Sequence, residues 1–284
     1  MHYYLFAKYF QDLSVEELME LCQRLGLDGP TALVREGYWL EEDTLSQTLP
    51  AFVRVAERYG LEVKYANTPV AVTDVNNFSQ MTRFTEQMKV FADCGIENVR
   101  LAHISKTVVG DVRKLSGHVR RIVSALADAT AHLPIRLVVQ IHGFAYPHNA
   151  TAAWEVIQGL DPASVGIKLD PGNNVCQEGY EQFDYQIQLL REYIVALGAK
   201  NARPVNWREE QNGWRAKFVP AYDGVADYRM VFAQLHKIGF DGPVILMPFY
   251  QTDNRNQLLD SLKKEIVYFK KCAGDCQSAL SDVK

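Results

Sequence analysis

The chain has 284 residues, 48% of them hydrophobic and 23% charged, and its formal net charge at pH 7 is −4. Acidic and basic residues are interspersed, which excludes the basic face that binding to nucleic-acid phosphates requires, and the apolar runs are too short to span a membrane. The N-terminus lacks the pattern of a secretory signal, and the five cysteines lack the spacing of a metal site. We therefore expect a cytoplasmic protein with free thiols and with neither nucleic acid nor membrane as a partner.

Short apolar runs alternate with stretches of helical periodicity, and the alternation repeats eight times. Strands are predicted over residues 4–9, 31–34, 62–66, 98–102, 136–141, 165–169, 194–199 and 244–247. The first helix begins at the capping box Ser14-Val15-Glu16-Glu17 and ends at Gly26. Further helices are predicted over residues 44–60, 75–94, 116–131, 152–160, 183–191, 228–239 and 254–271.

Eight successive strand–helix units of roughly 35 residues are typical of a parallel sheet closed into a (β/α)8 TIM barrel. We predict an α/β fold with a single barrel domain over residues 1–271, followed by a C-terminal tail over residues 272–284. The alternative is an open doubly wound sheet, which usually carries a GxGxxG phosphate loop after an early strand. No such motif follows any predicted strand.

One long interval interrupts this rhythm between the seventh strand and the seventh helix. Residues 201–227 are predicted to form a loop. Loops of this length inside a compact domain are usually functional. In a barrel this loop would lie over the face formed by the carboxyl ends of the strands, where active sites are built.

The ends of the predicted strands carry a distinctive series of residues. The series comprises Leu25-Gly26-Leu27-Asp28-Gly29 before the second strand, Val139-Gln140-Ile141-His142-Gly143 at the fifth, Val165-Gly166-Ile167-Lys168-Leu169-Asp170-Pro171-Gly172-Asn173 at the sixth, Gly198-Ala199-Lys200-Asn201 at the seventh and Gly239-Phe240-Asp241-Gly242-Pro243 before the eighth. In this order the chain resembles the xylose-isomerase-like TIM barrel family, the superfamily of sugar phosphate isomerases and epimerases. The resemblance spans nearly the whole chain.

The resemblance implies chemistry on the carbon next to a carbonyl, assisted by a divalent metal that two glutamates, an aspartate and a histidine hold. This chain keeps Asp170 but departs elsewhere: Gln140 stands in place of the first glutamate, Asn173 and Gly198 in place of histidines, Asn201 in place of an aspartate and Met247 in place of the second glutamate. One carboxylate with amides is a poor site for a hard cation. We therefore expect no tightly bound metal, although manganese, magnesium or zinc remains an open alternative.

Three residues are the candidates for catalysis in the absence of the usual metal. They are Lys200, Asp170 and His142. A lysine at a strand end in a partly dry pocket has a lowered pKa and can act as an acid or a base. The structural alternatives are a salt bridge from Lys200 to Asp170 or Glu178, a helix cap at Asp170 and a backbone-bonded His142.

Candidate substrate-binding residues follow other strand ends or lie in the predicted loops. They are Gln140, Asn173, Asn67, His103, Arg35, Tyr38, Trp39 and Trp207, with Trp214 as a further aromatic candidate. Amides and histidines can hydrogen-bond sugar hydroxyls, and aromatic rings can stack on a sugar face. The same aromatic residues could instead fix the conformation of their loops.

The sequence thus favours a sugar or sugar-acid isomerase or epimerase that acts on a small carbohydrate without a tightly bound metal. One alternative is a non-catalytic carbohydrate-binding relative that has kept the pocket. Another is a metal-dependent isomerase with ligands elsewhere, such as Glu178, Glu209 or Asp223. A homodimer is the expected form of association if the chain assembles.

Overall fold

The computed structural model describes residues 1–177, 180–207, 213–250 and 252–281, and of residues 206, 207, 213, 214 and 275–281 only the backbone. The strands are β1 (His2–Leu5), β2 (Gly29–Pro30), β3 (Ala32–Leu33), β4 (Tyr65–Asn67), β5 (Asn98–Arg100), β6 (Ile104–Ser105), β7 (Arg136–Gln140), β8 (Ala145–Tyr146), β9 (Val165–Leu169), β10 (Ile194–Ala199), β11 (Asn201–Trp207), β12 (Gly213–Val219) and β13 (Pro243–Leu246). The helices are α1 (Val15–Arg24), α2 (Leu45–Arg58), α3 (Phe78–Asp93), α4 (Leu115–Thr130), α5 (Ala150–Ile157), α6 (Pro171–Cys176), α7 (Phe183–Leu190), α8 (Tyr228–Lys237) and α9 (Arg255–Ser281).

The main sheet is parallel and closes on itself. Its order is β2-β1-β13-β10-β9-β7-β5-β4-β3. The two ends of this order, β2 and β3, are separated in the chain by Thr31 alone, and they are two halves of the same barrel strand. The first half pairs with β1 and the second with β4, which completes the ring. The predicted TIM barrel is therefore confirmed.

The local signals of the sequence explain where the elements begin. In the predicted capping box, the Glu17 backbone N–H donates to Ser14 Oγ at 3.2 Å, and the Ser14 backbone N–H donates to Glu17 Oε2 at 2.7 Å. Strands β9 and β10 have the predicted limits at both ends. The first strand was predicted too late, since β1 ends at Leu5 and a 3-10 turn at Ala7–Tyr9 follows it.

The prediction of a loop over residues 201–227 is wrong for most of its length. Strands β11 and β12 form an antiparallel hairpin that pairs Asn201 with Val219 at one end and Trp207 with Gly213 at the other. Valine and tryptophan occur in both segments and phenylalanine in the second, and these residue types favour strands. The hairpin rises from the carboxyl end of β10, so it lies beside the mouth of the barrel.

The hydrophobic core has two layers, as expected of a barrel. A large layer fills the space between strands and helices, and a smaller cluster lies inside the ring. The inner cluster consists of Phe6, Leu33, Tyr65, Val138, Val195, Ala196, Ile245 and Met247. In the described part of the chain, no helix combines the length and the apolarity that crossing a membrane requires.

Candidate functional site

A cavity of about 220 Å3 opens at the carboxyl ends of the barrel strands. Its lining includes Asn67 at the end of β4, Arg100 at the end of β5 and Gln140 at the end of β7. A larger cavity of about 560 Å3 lies at the opposite, amino ends of the strands. We assign the candidate site to the smaller cavity, because the catalytic residues of β/α barrels lie at the carboxyl ends.

Asp170 is the centre of a polar cluster beneath this cavity. Its carboxylate is buried, and Oδ2 accepts hydrogen bonds from Gln140 Nε2 at 2.7 Å and Asn173 Nδ2 at 3.0 Å. The same oxygen lies 3.3 Å from Lys200 Nζ. The other oxygen accepts the backbone N–H of Asn173 at 3.1 Å and so caps helix α6. The structure thus brings together four of the predicted residues, and it gives Asp170 the capping role as well.

Lys200 lies at the end of β10, where it lines the cavity. Its ammonium is 4.4 Å from the ring centroid of Phe249 and 4.9 Å from that of Phe218. Burial lowers the pKa of Lys200, and the attraction of Asp170 opposes that shift. A neutral amine is therefore more accessible here than on a surface lysine, while a neighbouring carboxylate is in place to stabilise the charged form.

Lys168 is a second buried lysine, which belongs to the strand-end series at β9 and was not predicted as a site residue. It is fully buried inside the barrel, with Nζ 3.2 Å from Met247 Sδ and 5.8 Å from the Tyr65 ring. Burial lowers its pKa to about 7, with Asp170 acting in the opposite direction. The two-residue period of β9 is the signal that could have found it, because Gly166, Lys168 and Asp170 share the inner face.

Gly198 occupies a position at which the family resemblance implies a histidine. A Cβ atom at this residue would lie 2.9 Å from Lys168 Cε and 3.0 Å from Asp170 Oδ2. The first distance is shorter than real Cβ atoms show and the second is tighter than nine in ten of their contacts, so a side chain here would displace the lysine or the carboxylate. The absence of a side chain at this position makes room for the arrangement of Lys168 and Asp170.

Arg100 also lines the cavity and was not predicted as a site residue. With the Asn67 amide oriented so that its oxygen faces Arg100, Oδ1 accepts from Nε at 3.0 Å and from Nη2 at 3.2 Å. Arg100 Nη1 donates to the carbonyl of Leu101 at 2.9 Å. Asn67, predicted to bind substrate, thus lines the cavity and also holds the guanidinium in place.

His103 and His142, both predicted site residues, lie next to each other at the rim of the cavity. Their ring centroids are 4.2 Å apart, and the loops that carry them are joined by the short pairing of β6 with β8. Burial, together with the nearby Lys200, lowers the pKa of His142 to about 4. Burial and Arg100 also lower the pKa of His103. Both imidazoles are therefore neutral at pH 7.

The remaining predicted residues lie in three different places. Arg35 lines the outer part of the cavity. Tyr38 and Trp39 do not line it: the Tyr38 hydroxyl donates to the Lys8 carbonyl at 2.8 Å, and Trp39 Nε1 donates to the Leu13 carbonyl at 2.7 Å. These two hydrogen bonds fix the loop that carries Tyr38 and Trp39 against the segment after β1 that carries Lys8 and Leu13. The side chains of Trp207 and Trp214 lie outside the described residues.

The side chains at the family's metal positions do not fit a divalent cation. Gln140 directs its amide nitrogen toward Asp170, and Met247 offers a thioether that contacts Lys168. Asn201 is turned away from the cavity, because Nδ2 donates to the carbonyls of Ala221 at 2.8 Å and Ala226 at 2.9 Å. Hard cations prefer several oxygen ligands that carry negative charge, and this site supplies one carboxylate that is already surrounded by donors.

One of the three alternative metal ligands, Asp223, lies in the described part of the chain. Asp223 pairs with Arg203 at 3.2 Å on the hairpin, and Glu178 and Glu209 lie outside the described residues. Within the residues that the structure covers, no group of three His, Cys, Asp or Glu side chains is arranged to hold a metal ion.

Comparison with known proteins identifies the family. The chain matches the xylose isomerase-like TIM barrel family over residues 19–272. No curated protein matches it. Among solved structures, it is similar to a xylose isomerase domain protein from Alicyclobacillus acidocaldarius (18% identity, TM-score 0.74, 98% of this chain and 99% of that one). It is also similar to a probable 3-DHS dehydratase from Bacillus anthracis (15% identity, TM-score 0.73, 95% of this chain and 99% of that one). A D-psicose 3-epimerase is similar as well (14% identity, TM-score 0.69, 96% of this chain and 100% of that one). At these identities the structural likeness establishes the fold alone.

Proposed function

The chain belongs to the xylose isomerase-like TIM barrel family, and on this premise we propose that it is an isomerase or epimerase of small carbohydrates. In this proposal it moves a proton on the carbon next to a carbonyl without a tightly held metal. The observation that carries the proposal is the buried pair of Lys200 Nζ and Asp170 Oδ2, 3.3 Å apart beneath a cavity at the barrel mouth. Fold and family alone would not distinguish between the chemistries that this architecture supports.

Lys200 is the base in this mechanism. Its lowered pKa makes a fraction of neutral amine available, and that amine takes the proton from the carbon next to the substrate carbonyl. Asp170 stabilises the ammonium that forms. Arg100, a cation in the lining of the same cavity, stabilises the negative charge that develops on the enediolate oxygen.

The fate of the proton determines the product. If Lys200 returns it to the neighbouring carbon while the hydroxyl proton of that carbon moves to the enediolate oxygen, the result is an isomerisation between aldose and ketose. If a water molecule delivers a proton to the original carbon from the other face and Lys200 releases its own proton to solvent, the result is an epimerisation. Both outcomes use one base and one stabilised oxyanion, and neither needs a co-reactant.

The size and polarity of the cavity support a small polyhydroxylated substrate. Its volume of about 220 Å3 lies below the roughly 300–1,000 Å3 of pockets for drug-sized ligands. Asn173 lines it, and its Oδ1 is buried without a hydrogen-bond partner among the described residues. Its Nδ2 is fixed by Asp170 and the Ile141 carbonyl, so Oδ1 is an acceptor for a substrate hydroxyl.

The test is proton exchange in deuterated water. Chelator-treated protein is incubated with C4–C6 aldoses, ketoses and their acids, and NMR follows deuterium incorporation next to the carbonyl. We expect exchange that survives the chelator and falls at least about 100-fold in Lys200→Met, since a positioned acid or base contributes about 10²–10⁴. The matched control is Lys217→Met, an exposed lysine on β12, which should keep its rate.

Two results would contradict the proposal. Exchange that is lost with chelator and restored by manganese, magnesium or zinc would establish a metal enzyme instead. Sugar-induced thermal stabilisation with no exchange on any compound of the panel would indicate a non-catalytic binding protein.

A further inference from the structure

The lining of the active-site cavity has a strongly uneven charge. Four cationic side chains line it: Lys8, Arg35, Arg100 and Lys200. Within the described residues, no Asp or Glu side chain contributes to the lining. The whole chain has a net charge of −4, so the positive lining runs against the overall composition. Such a concentration of one sign in a cleft attracts ligands of the opposite sign.

The inner cations exceed the negative charge beside them. Lys200 has Asp170 as its partner, but Asp170 is the one buried carboxylate in this cluster of described residues. Arg100 donates to neutral acceptors, the Asn67 amide and the Leu101 carbonyl. Lys168, behind the lining, has the Met247 thioether as its hydrogen-bond acceptor. Charges held in a dry site without a counter-charge are unfavourable.

The outer cations contact rings in place of carboxylates. Lys8 Nζ lies 5.0 Å from the ring centroid of Phe249, and Arg35 Cζ lies 5.7 Å from that of Tyr38. Repulsion from Arg35 and burial both lower the pKa of Lys8, with burial the larger cause. The two outer and two inner cations therefore border the same space, and among the described residues Asp170, behind the lining, is the one carboxylate beside them.

We propose that this cavity binds the carboxylate of a small hydroxylated acid, so that the substrate is a sugar acid in place of a neutral sugar. The inference rests on the proposed function and names the substrate class of the same site. A guanidinium presents donors in a planar fork that matches a carboxylate, and an entering anion supplies the missing counter-charge. Asn173 Oδ1 is available for a hydroxyl.

A phosphate ester shares the anionic chemistry, but the cavity favours the carboxylate. The volume of about 220 Å3 suits a single monosaccharide-sized molecule, and a phosphate group adds bulk beyond the sugar. The phosphate also brings a charge of about −1.5 to −2, whereas the inner cluster is already partly balanced by Asp170.

The test is isothermal titration calorimetry at pH 7 and low salt, with chelator present. Four- to six-carbon aldonates are compared with the alditols of the same length and configuration and with the matching sugar phosphates. We expect at least one aldonate to bind about tenfold or more tighter than its alditol, and to weaken severalfold when salt is raised. Arg35→Gln should weaken the aldonate about fivefold and leave the alditol unchanged. Arg121→Gln, an exposed arginine on α4, is the charge-matched control and should bind like the wild type.

Binding and exchange fail independently, which separates this inference from the proposed function. Equal affinity for aldonate and alditol, insensitivity to salt, tighter binding of the phosphate or no binding at all would each overturn the inference. A selective aldonate site on a protein that catalyses no exchange would support the acid site and contradict the isomerase.

Discussion

Replacing Lys168 by methionine tests the electrostatics of the barrel interior without touching the lining of the cavity. The lysine is fully buried, its Nζ contacts Met247 Sδ at 3.2 Å and its pKa is lowered to about 7. Methionine has a similar length, and its thioether packs well against Met247 and the Tyr65 ring. We expect Lys168→Met to fold and to have a different dependence of stability on pH.

The direction of the pH dependence of stability follows from the lowered pKa of Lys168. The folded-state pKa of Lys168 lies below its ordinary value of 10.5, so between about pH 7 and 10.5 the unfolded chain holds a proton that the folded chain has lost. The free energy of unfolding of the wild type therefore rises with pH through this window. Because half of the folded molecules still hold this proton at pH 7, the contribution between pH 7 and pH 9 is about 2 kcal/mol, at about 1.4 kcal/mol per pKa unit. Lys168→Met lacks this contribution. The free energy of unfolding of the variant therefore exceeds that of the wild type most at pH 6–7, and the difference is smaller at pH 9 by the amount that the wild type gains.

The assay is urea unfolding of both proteins, without ligand, at pH 6, 7.5 and 9. The control is Lys64→Met, because Lys64 is an outward lysine paired with Glu97 at 2.6 Å and its pKa is raised above 10.5. Its removal should shift stability by less than about 1 kcal/mol at every pH. Parallel pH profiles for Lys168→Met and the wild type would refute the reasoning, since they would mean that Lys168 stays charged in the folded protein.

Two further substitutions probe how the hairpin and the last helix are attached. Burial raises the pKa of Glu265 to about 7, so between pH 4.5 and 7 the folded protein keeps a proton that the unfolded chain loses. The free energy of unfolding therefore falls by about 3 kcal/mol as the pH rises through this range. Glu265→Gln should remove this pH dependence, which urea unfolding across the same range measures. Asn201→Ala removes four hydrogen bonds to the backbone of Ala202, Ala221 and Ala226 and should destabilise the protein by about 3 kcal/mol. A loss below about 0.5 kcal/mol would show that Asn201 does not hold the loop.

The barrel could be predicted because its signals are local and repeated. A capping box at Ser14, glycines at the ends of helices and eight apolar runs each mark one unit, and the handedness of β/α connections leaves few ways to arrange them. The hairpin of β11 and β12 was missed because its strand-forming residues follow a barrel strand, and the alternation of strands and helices predicts a helix at that point. Its register depends on pairing between two segments, which a reading of one segment at a time does not reveal.

The proximity of the candidate residues was predictable where these residues stand at the carboxyl ends of the barrel strands. Gln140 ends β7, while Asp170 and Lys200 directly follow β9 and β10. Asn173 lies in α6, and the four residues meet around one Asp170 carboxylate oxygen. Lys168 escaped notice because a lysine inside an apolar strand is conventionally read as facing solvent. The two-residue period puts Lys168 on the face of β9 that carries Asp170, and the closed ring buries both faces of this strand.

The departures from the family's metal positions are physically consistent with one another. Gly198, where the resemblance implies a histidine, leaves room for the Lys168 side chain and the Asp170 carboxylate. Met247, where it implies a glutamate, contacts the Lys168 amine through its sulfur. A glutamate at that position would pair with Lys168 and remove the excess of positive charge beneath the cavity. If the cavity binds an acid as we propose, the replacements act as a set: they exchange a cluster of anionic ligands, which would attract a metal cation, for a cluster of cations, which would attract the anion directly.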